Sequence, residues 1–279
     1  MSVGRVVSGL YKPRQTFLLV FTGVVAYLKA CELSFDPLHF LTYALSTTLA
    51  VAGTTGVNMY FDKDIDSVME RTRRRYALPL GLITPGKALT YSLLMVAAGL
   101  ILALALNFWV FLAGLLGFLI DILLYTVLLK RRTPLSVVIG GVAGGMPAFG
   151  GWAAIKGPTV ECLVFTALIA FWSMTHIWLL ASYFHDDYRR AGVPMLPVVV
   201  GERKGVIAAL LTLTLGEACL LVLQSMGVMT LGGVLITIPM YLLVVAAGMK
   251  AVLGEREKVW LSFKLASIYL AVAFIALFI

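Results

Sequence analysis

The chain has 279 residues, of which 61% are hydrophobic and only 13% are charged, and its mean hydropathy is +0.97. Soluble domains average about 45–50% apolar and about 25% charged residues, so this composition excludes a disordered chain, a coiled coil and an ordinary cytosolic enzyme. The net charge of +8 does not indicate a nucleic-acid partner, because in a membrane protein the distribution of basic residues matters more than their sum.

Apolar runs bounded by proline, glycine or charged residues predict nine membrane-spanning helices. A span needs about 20 apolar residues, and lipid offers backbone groups no hydrogen-bond partners, so each run is expected to be helical. The predicted spans are 15–30, 38–59, 87–106, 108–129, 135–155, 160–184, 205–224, 230–249 and 260–279. We therefore expect an all-α fold, with residues 1–279 forming a single polytopic membrane domain.

The basic residues orient this bundle. With the N-terminus inside the cell, nine spans put all of the 22 lysines and arginines on the inner face except Lys29 and Lys156. Such an asymmetry is typical of cytoplasmic loops. The sequence thus predicts an integral cell-membrane protein, surrounded by membrane lipid, with a cytoplasmic N-terminus, an external C-terminus and two long cytoplasmic loops at 61–86 and 185–204.

Acidic clusters lie where both long loops begin. Asn58, Asp62 and Asp66 are four residues apart, so on a continuing helix they share one face, whereas Asp64 points elsewhere. Two carboxylates and an amide oxygen suit Mg²⁺, which proteins hold by one or two carboxylates together with substrate phosphates and water. The second cluster, residues 185–188, follows the sixth span on the same side, so the two clusters are expected to face one another.

Lysines and arginines flank both clusters, and two interpretations of these charges stay open. Acidic residues at a helix end can be solvated surface, and basic residues on inner loops need only the positive-inside rule. Alternatively, a mouth rich in carboxylates and arginines suits a metal-bridged diphosphate, and the apolar bundle beneath it suits a hydrocarbon tail. Metal and arginine would neutralise the charge on a departing diphosphate and leave an allylic carbocation in an apolar cavity, which predicts electrophilic prenyl transfer.

The motifs also resemble those of a known enzyme family. Asn58, Asp62 and Asp66 are similar to the N-x-x-x-D-x-x-x-D motif of UbiA-type intramembrane prenyltransferases. Longer words resemble one group within it, the haem O synthases or protohaem IX farnesyltransferases. These words include Tyr11-Lys-Pro-Arg14, Thr175-His176-x-Trp178 and Asp186-Asp-Tyr-Arg-Arg-Ala-Gly-Val-Pro-Met-Leu-Pro-Val199. The matching words lie within residues 11–201, and the last three spans carry little signature.

The resemblance implies a nine-helix bundle that transfers a farnesyl group from farnesyl diphosphate to a vinyl group of haem b, with water adding to the product. By position, Asn58, Asp62 and Asp66 would bind a first Mg²⁺ and Asp187 would help to hold a second, which makes the three aspartates the catalytic carboxylates. The candidates for the diphosphate oxygens are Arg71, Arg75, Lys130 and Arg131. Downstream haem-modifying or oxidase-assembly proteins enter as partners only through the family.

The second acidic cluster departs from the pattern of the superfamily. Many members of the superfamily carry a second D-x-x-x-D motif, but this chain has Tyr183 four residues before Asp187, so Tyr183 and Asp186 count only as neighbours of the second site. His176 lies inside the sixth span, where a polar side chain is costly and is usually paired or functional. Its ring either forms a hydrogen bond with Thr175 or a neighbouring helix, or it binds haem, since haem iron commonly takes a histidine ligand.

Two other functions compete with this one. A UbiA-type enzyme with a quinone precursor, chlorin or glyceryl phosphate as acceptor would keep the metal and diphosphate residues and differ only in its acceptor pocket. A transporter or a structural membrane subunit would carry out no chemistry. Transporters tend to place their sites near the midplane on broken helices, whereas the acids and long loops of this chain gather at one face.

Overall fold

The computed structural model describes residues 3–279, and the regular structure within that range is entirely helical, as predicted. Nine long helices in the described range form the bundle. They are α1 (Pro13–Ala30), α2 (Pro37–Phe61), α3 (Pro85–Leu106), α4 (Phe108–Leu129), α5 (Ser136–Ala153), α6 (Val160–Tyr183), α7 (Glu202–Ser225), α8 (Leu231–Val252) and α9 (Lys258–Ala276). The short helices are Val3–Tyr11, Lys63–Val68, Glu70–Arg73, His185–Arg190 and Leu196–Val200.

All nine predicted spans are helical, and seven of them are long and apolar enough to cross a membrane. The other two, α1 and α5, have 18 residues each. Arg14 and Lys29 lie near the two ends of α1, and α5 contains six glycines and Pro147. Both helices are nevertheless packed within the bundle, since α5 lies against α1 on one side and α6 on the other.

Four of the long helices, α2, α4, α6 and α8, begin where a side chain accepts a free backbone N–H group. Asp36 accepts hydrogen bonds from the N–H groups of Leu38 and His39 at the start of α2. Asn107 and Thr159 do the same at the starts of α4 and α6. Such caps satisfy N–H donors that have no partner inside the helix. The starts of α2, α4 and α6 are therefore well defined.

Glycine allows α5 to approach its neighbours at backbone distance. A Cβ atom built on Gly151 would lie 2.0 Å from the carbonyl oxygen of Gly23 on α1, and one on Gly145 would lie 2.7 Å from the carbonyl oxygen of Thr166 on α6. Small residues in membrane helices permit this close packing. The α1–α5–α6 contact is therefore specified by the glycines of α5.

A buried acid joins the last three helices. Glu217 of α7, only 7% exposed, accepts hydrogen bonds from the Thr237 hydroxyl of α8 at 2.8 Å and from the Tyr269 hydroxyl of α9 at 2.7 Å. A polar group inside a membrane bundle is costly unless it is paired. Glu217 is paired in this way by two side chains from separate helices.

We expect Gly151→Ala to lower the free energy of unfolding by about 1–3 kcal/mol, because the new methyl group meets a backbone oxygen that cannot rotate away. Gly144→Ala on the same helix is the matched control, since its Cβ would meet the Ser173 hydroxyl, a side chain that can move. Thermal unfolding in detergent measures both variants. Equal melting temperatures for Gly151→Ala and the unsubstituted protein would contradict the close approach.

Glu217→Ala should lower stability by about 1–3 kcal/mol, because the hydroxyls of Thr237 and Tyr269 both lose their buried acceptor. Thr214→Val is a suitable comparison on the same helix, since the Thr214 hydroxyl is exposed and pairs with Tyr241 at the surface. The same unfolding assay applies. If Glu217→Ala is no less stable than Thr214→Val, the hydrogen bonds that join the three helices do not contribute to stability.

Candidate active site

The candidate site lies at the end of the bundle where α2, α4 and α6 finish, which we call the acidic end. Ion pairs hold the connections together there, including Arg190 with Glu70 at 3.5 Å and Arg256 with Glu202 at 2.9 Å. Lys29 lies at the opposite end of α1, where its ammonium group donates to the carbonyl oxygen of Leu277 at 2.7 Å. The two long loops predicted from the sequence both lie at the acidic end.

Two aspartates of the first cluster are buried and incompletely paired. Asp62 and Asp66 are 4% and 6% exposed. Oδ1 of Asp62 and Oδ2 of Asp66 have no hydrogen-bond partner among the described residues. Buried polar atoms nearly always have partners, and a carboxylate oxygen without one is especially costly. These two oxygens are therefore suited to a cation.

The shared face was predicted for a continuing helix, but the chain does not continue as one helix through this cluster. Helix α2 ends at Phe61, and the short helix Lys63–Val68 follows after Asp62. The i to i+4 backbone hydrogen bonds nevertheless persist, since the N–H of Asp62 donates to Asn58 at 2.9 Å and the N–H of Asp66 donates to Asp62 at 2.8 Å. The spacing of four residues is thus preserved across the break.

Asn58 is oriented by a neighbouring helix. Its Nδ2 donates to the hydroxyl of Thr126 at 2.8 Å, and that hydroxyl donates to the carbonyl oxygen of Asp121 at 2.7 Å. Thr126 belongs to residues 120–129 of α4, which form a π-helix. Because the amide nitrogen is bound, the amide oxygen of Asn58 remains available as a ligand.

Lys130 is the cation that the structure places on the first cluster. Its ammonium group donates to Oδ2 of Asp62, and its own N–H donates to the Tyr125 carbonyl oxygen at 2.7 Å, the last bond of the π-helix. Burial opposes the charge on Lys130, but the Asp62 carboxylate outweighs it, so the pKa of Lys130 is raised. Burial also raises the pKa of the Asp66 carboxyl, against the opposing effect of Lys12.

Arg131 and Arg75, two of the predicted diphosphate residues, lie on the surface. Arg131 makes two hydrogen bonds to Asp64, at 2.6 and 2.7 Å, which lower the pKa of that exposed carboxyl to about 2. The prediction that Asp64 points away from the first cluster agrees with this pair. Arg75 is exposed, so a diphosphate role for Arg131 or Arg75 stays a prediction and requires movement of the side chain.

Arg71 differs from these two surface arginines. Its Nε is buried and has no hydrogen-bond partner within residues 3–279. Its guanidinium carbon lies 5.4 Å from the centre of the Phe184 ring, at the end of α6. A partly buried guanidinium without a carboxylate partner is suited to an oxyanion, which makes Arg71 the best placed of the four candidates together with Lys130.

Asp187 joins the two long loops. Its carboxylate accepts hydrogen bonds from the backbone N–H groups of Glu70 at 3.3 Å and Arg71 at 3.2 Å, and from the guanidinium of Arg190 at 2.6 Å. Asp187 is therefore held against the turn that follows the first cluster, while the expectation that the two clusters face one another stays a prediction. Because both carboxylate oxygens already have donors, metal ligation by Asp187 stays a prediction, and the observed contact is with the turn that carries Arg71.

The neighbours of Asp187 have different environments. His185 is buried and lies 3.3 Å from the carboxylate of Asp186, which is exposed to solvent, and 3.3 Å from Arg189. Tyr183 stacks on Trp260 of α9, with ring centres 4.8 Å apart. Neither Asp186 nor Tyr183 thus replaces the missing carboxylate of a second D-x-x-x-D motif.

Within residues 3–279 His176 has no polar partner, and Thr175 does not supply one. The Thr175 hydroxyl bonds to the Ala209 carbonyl oxygen at 3.1 Å and the Thr212 hydroxyl at 2.9 Å instead. Nδ1 of His176 is buried without a hydrogen bond to any described residue. The ring lies between Trp172 and Phe263, with centroid distances of 4.9 and 4.4 Å. The expectation that Thr175 satisfies His176 is therefore wrong.

Sequence reasoning missed two residues of the acidic end. Thr126 sets the orientation of Asn58, and nothing in the sequence marks it, because only the fold brings α4 beside α2. Lys12 has a positive φ of 44° before Pro13, and its ammonium lies 4.5 Å from the centre of the Tyr76 ring. Its place in the word Tyr11-Lys-Pro-Arg14 was the available signal.

The donor set at the acidic end fits Mg²⁺ better than zinc. Among residues 3–279, no three or more His, Cys, Asp or Glu side chains lie close enough to hold a metal ion by themselves. Asp62, Asp66 and the amide oxygen of Asn58 are a smaller set of hard oxygen donors. Proteins commonly hold Mg²⁺ with only one or two carboxylates, because the ion keeps several waters and takes further oxygens from substrate phosphates.

Comparison with known proteins places these residues in a family. The sequence profile of the UbiA prenyltransferase family matches residues 19–278. The chain is 46% identical over 271 residues to the protoheme IX farnesyltransferase of Thermofilum pendens, covering 96% of this chain and 95% of the relative. It is 36% identical over 269 residues to the enzyme of the same name from Archaeoglobus fulgidus, covering 95% and 94%.

Solved structures share the fold. A digeranylgeranylglyceryl phosphate synthase superposes with a TM-score of 0.80 at 18% identity, covering 98% of this chain and 96% of that one. A UbiA homolog from Archaeoglobus fulgidus bound to DMAPP and Mg²⁺ superposes with a TM-score of 0.70 at 17% identity, covering 98% and 99%. With nine long helices among residues 3–279 and with these relatives, the chain is a membrane protein that belongs to the UbiA prenyltransferase family.

Proposed function

We propose that this chain transfers a farnesyl group from farnesyl diphosphate to a vinyl group of haem b in a Mg²⁺-dependent reaction. The observation that carries the proposal is the pair of buried carboxylate oxygens without partners on Asp62 and Asp66, in a chain 46% identical to a protein named protoheme IX farnesyltransferase over nearly its whole length. The first supports a cation and diphosphate site, and the second supports the prenyl donor and the acceptor.

Asn58, Asp62 and Asp66 would hold the metal ion, which supplies positive charge to the diphosphate when it is bound. The contacts of Asn58 and Asp62 with α4 keep their remaining oxygens directed away from Thr126 and Lys130. Preorganised ligands of this kind lose little entropy when a cation binds. Lys130 is close enough to Asp62 to add its own charge at the same place.

The bond between C1 of the farnesyl group and the diphosphate oxygen breaks, and both electrons leave with the diphosphate. Arg71 and Lys130 would stabilise the negative charge that develops on the leaving group. The vinyl group then attacks the allylic cation, a C–C bond forms, and water adds to the new cation on the vinyl-derived carbon and releases a proton. The apolar helices beneath the acidic end limit the access of water to the allylic cation.

The acidic end would face the cytoplasm. Nearly all basic residues lie on the predicted inner loops, while Lys29 and Lys156 are the exceptions. Lys156 pairs with Glu32 at 3.2 Å beyond the outer end of α1. This distribution supports a cytoplasmic N-terminus, an external C-terminus and a diphosphate delivered from the cytoplasm.

Purified protein incubated with haem b, farnesyl diphosphate and Mg²⁺ tests the reaction by mass spectrometry of the extracted haem. The expected product has gained one farnesyl group and one water. Prenylated quinone precursor, chlorin or glyceryl phosphate in parallel incubations, with unchanged haem, would contradict the haem acceptor but not prenyl transfer. A chain that consumes no farnesyl diphosphate with any acceptor would contradict the enzyme itself.

Asp62→Asn and Asp66→Asn should each reduce turnover by about 100-fold, because each removes a charged ligand from the metal site. Asp64→Asn is the matched control, since Asp64 belongs to the same segment but pairs with Arg131 at the surface. Removal of Mg²⁺ with EDTA should abolish product, and added Mg²⁺ should restore it. Equal turnover of the Asp62, Asp64 and Asp66 variants would disprove the ligand assignment.

Asp187→Ala and Arg71→Gln should each reduce kcat/KM for farnesyl diphosphate by about 10–100-fold, since a displacement of about 1 Å in a charged group has effects of this size. If Asp187 acts by holding the turn of Arg71, the double variant will be no worse than the poorer single variant. Asp186→Ala serves as the control because Asp186 is exposed. Additive losses in the double variant would instead favour a separate role for Asp187, such as metal ligation.

A further inference from the structure

A row of aromatic rings runs along the contact between α6 and α9. The rings of Trp172, His176, Phe263, Trp260 and Tyr183 follow one another with successive centroid distances of 4.9, 4.4, 4.8 and 4.8 Å. Each of the five residues keeps some exposed surface, so the row is not enclosed on every side and has an open side. We call these five residues the aromatic row.

Three of the four successive ring pairs in the aromatic row are stacked, and the His176–Phe263 pair is tilted. Successive interplanar angles are 30°, 38°, 13° and 30°. The open side of such a stack presents ring edges rather than ring faces. Ring edges carry partial positive charge and prefer the electron-rich face of another aromatic system. The row is thus shaped for a broad, flat, conjugated ligand that lies across its edges.

His176 gives the aromatic row a metal-binding atom. Its Nδ1 is buried without a partner, and Nε2 makes no hydrogen bond with the described residues either, although it is not fully enclosed. The neighbouring rings of Trp172 and Phe263 hold the imidazole by stacking. Because the nitrogen lone pair lies in the plane of the imidazole, an iron atom in a flat ligand lying across the edges would meet Nε2 along that lone pair.

A positively charged side chain, Lys264, lies beside the aromatic row. Lys264, one helical turn after Trp260, has its ammonium 5.6 Å from the centre of the Trp260 ring, and it is exposed. Among residues 3–279 it makes no ion pair or hydrogen bond. An ammonium group without a carboxylate partner beside an aromatic surface suits a flat ligand that carries carboxylate groups.

The row also leads to the acidic end. Tyr183 contacts Phe184, with ring centres 4.9 Å apart, and the guanidinium of Arg71 lies over Phe184 at 5.4 Å. An allylic cation formed where a diphosphate departs must meet its acceptor at contact distance. An acceptor on the aromatic row would lie next to the arginine that we assign to the leaving group.

We propose that the aromatic row and Lys264 form the docking surface of the acceptor, an iron tetrapyrrole with carboxylate side chains. The tetrapyrrole face lies across the ring edges, its iron is bound by Nε2 of His176, and one carboxylate pairs with Lys264. This inference rests on the proposed function for the identity of the acceptor. It is tested by binding alone, without farnesyl diphosphate, so that it can fail separately.

The experiment titrates purified protein with haem b and, in parallel, with iron-free protoporphyrin IX, and follows the Soret band. His176→Phe keeps the stack but lacks the nitrogen, so it should weaken haem b binding at least tenfold and leave protoporphyrin binding within about twofold. Trp260→Leu should weaken both ligands by about fivefold or more, because it removes edge contacts that do not depend on iron. Trp109→Leu, an exposed tryptophan on α4, is the control and should bind both as the unsubstituted protein does.

Lys264→Gln should weaken binding of haem b about fivefold, the size of one exposed ion pair. Binding of haem b dimethyl ester should not change, since the ester has no charge for Lys264 to pair with. Lys250→Gln, an exposed lysine near the end of α8, is the matched control. Loss of affinity for the ester as well would assign Lys264 to packing and overturn its pairing with a carboxylate.

The two proposals are separated by comparing binding with product. If the unsubstituted protein farnesylates haem b while the His176, Trp260 and Lys264 variants bind it normally, the docking surface is wrong and the proposed function stands. If the variants lose binding as expected but no farnesylated haem forms, the docking surface stands and the proposed reaction is wrong. Circular dichroism and thermal unfolding of every variant identify losses that result from misfolding.

Discussion

The acidic end is organised by the cost of burying carboxylates beside a membrane bundle. Asp62 and Asp66 are almost fully buried, and Lys130 satisfies only one of their four oxygens directly. A buried charge without compensation costs several kcal/mol, and one ammonium cannot neutralise two carboxylates. A divalent cation bound to both, as we propose, would resolve this imbalance and add a net positive charge for an anionic substrate. The neighbouring elements are arranged around that requirement.

The π-helical part of α4 is the element that contributes most directly to compensating the buried carboxylates. A π-helix bonds each N–H to the carbonyl five residues earlier, so its side chains fall at different angles from those of an α-helix, and such segments are frequent at functional sites. Within residues 120–129 and the residue that follows, this geometry turns Thr126 toward Asn58 and Lys130 toward Asp62. One local change in helix type thus orients Asn58 and neutralises part of the charge on Asp62.

Hydropathy and residue spacing were sufficient for the helices and for the first cluster, because both are properties of a single segment. A run of apolar residues must be helical in lipid whatever lies beside it, and Asn58, Asp62 and Asp66 keep their spacing even though the helix breaks. Contacts between segments could not be predicted from the sequence. The partners of Glu217 and Asn58 come from helices whose neighbours only packing decides, and the stacking of His176 requires α9, which carried almost no recognisable motif. Asp187 shows the same limit, since two of its partners are the backbone N–H groups of Glu70 and Arg71, which carry no sequence signal.

Arg71 connects the two halves of the proposed chemistry. Its backbone N–H is held by Asp187, while its guanidinium lies over Phe184 at the end of the aromatic row. A guanidinium over an aromatic ring retains its charge and most of its donors, so it can still bind an oxyanion. In the proposed reaction, the leaving group and the acceptor would therefore both lie beside Arg71. Because a carbocation is quenched by whatever nucleophile is nearest, this proximity would favour attack by the acceptor over attack by stray water.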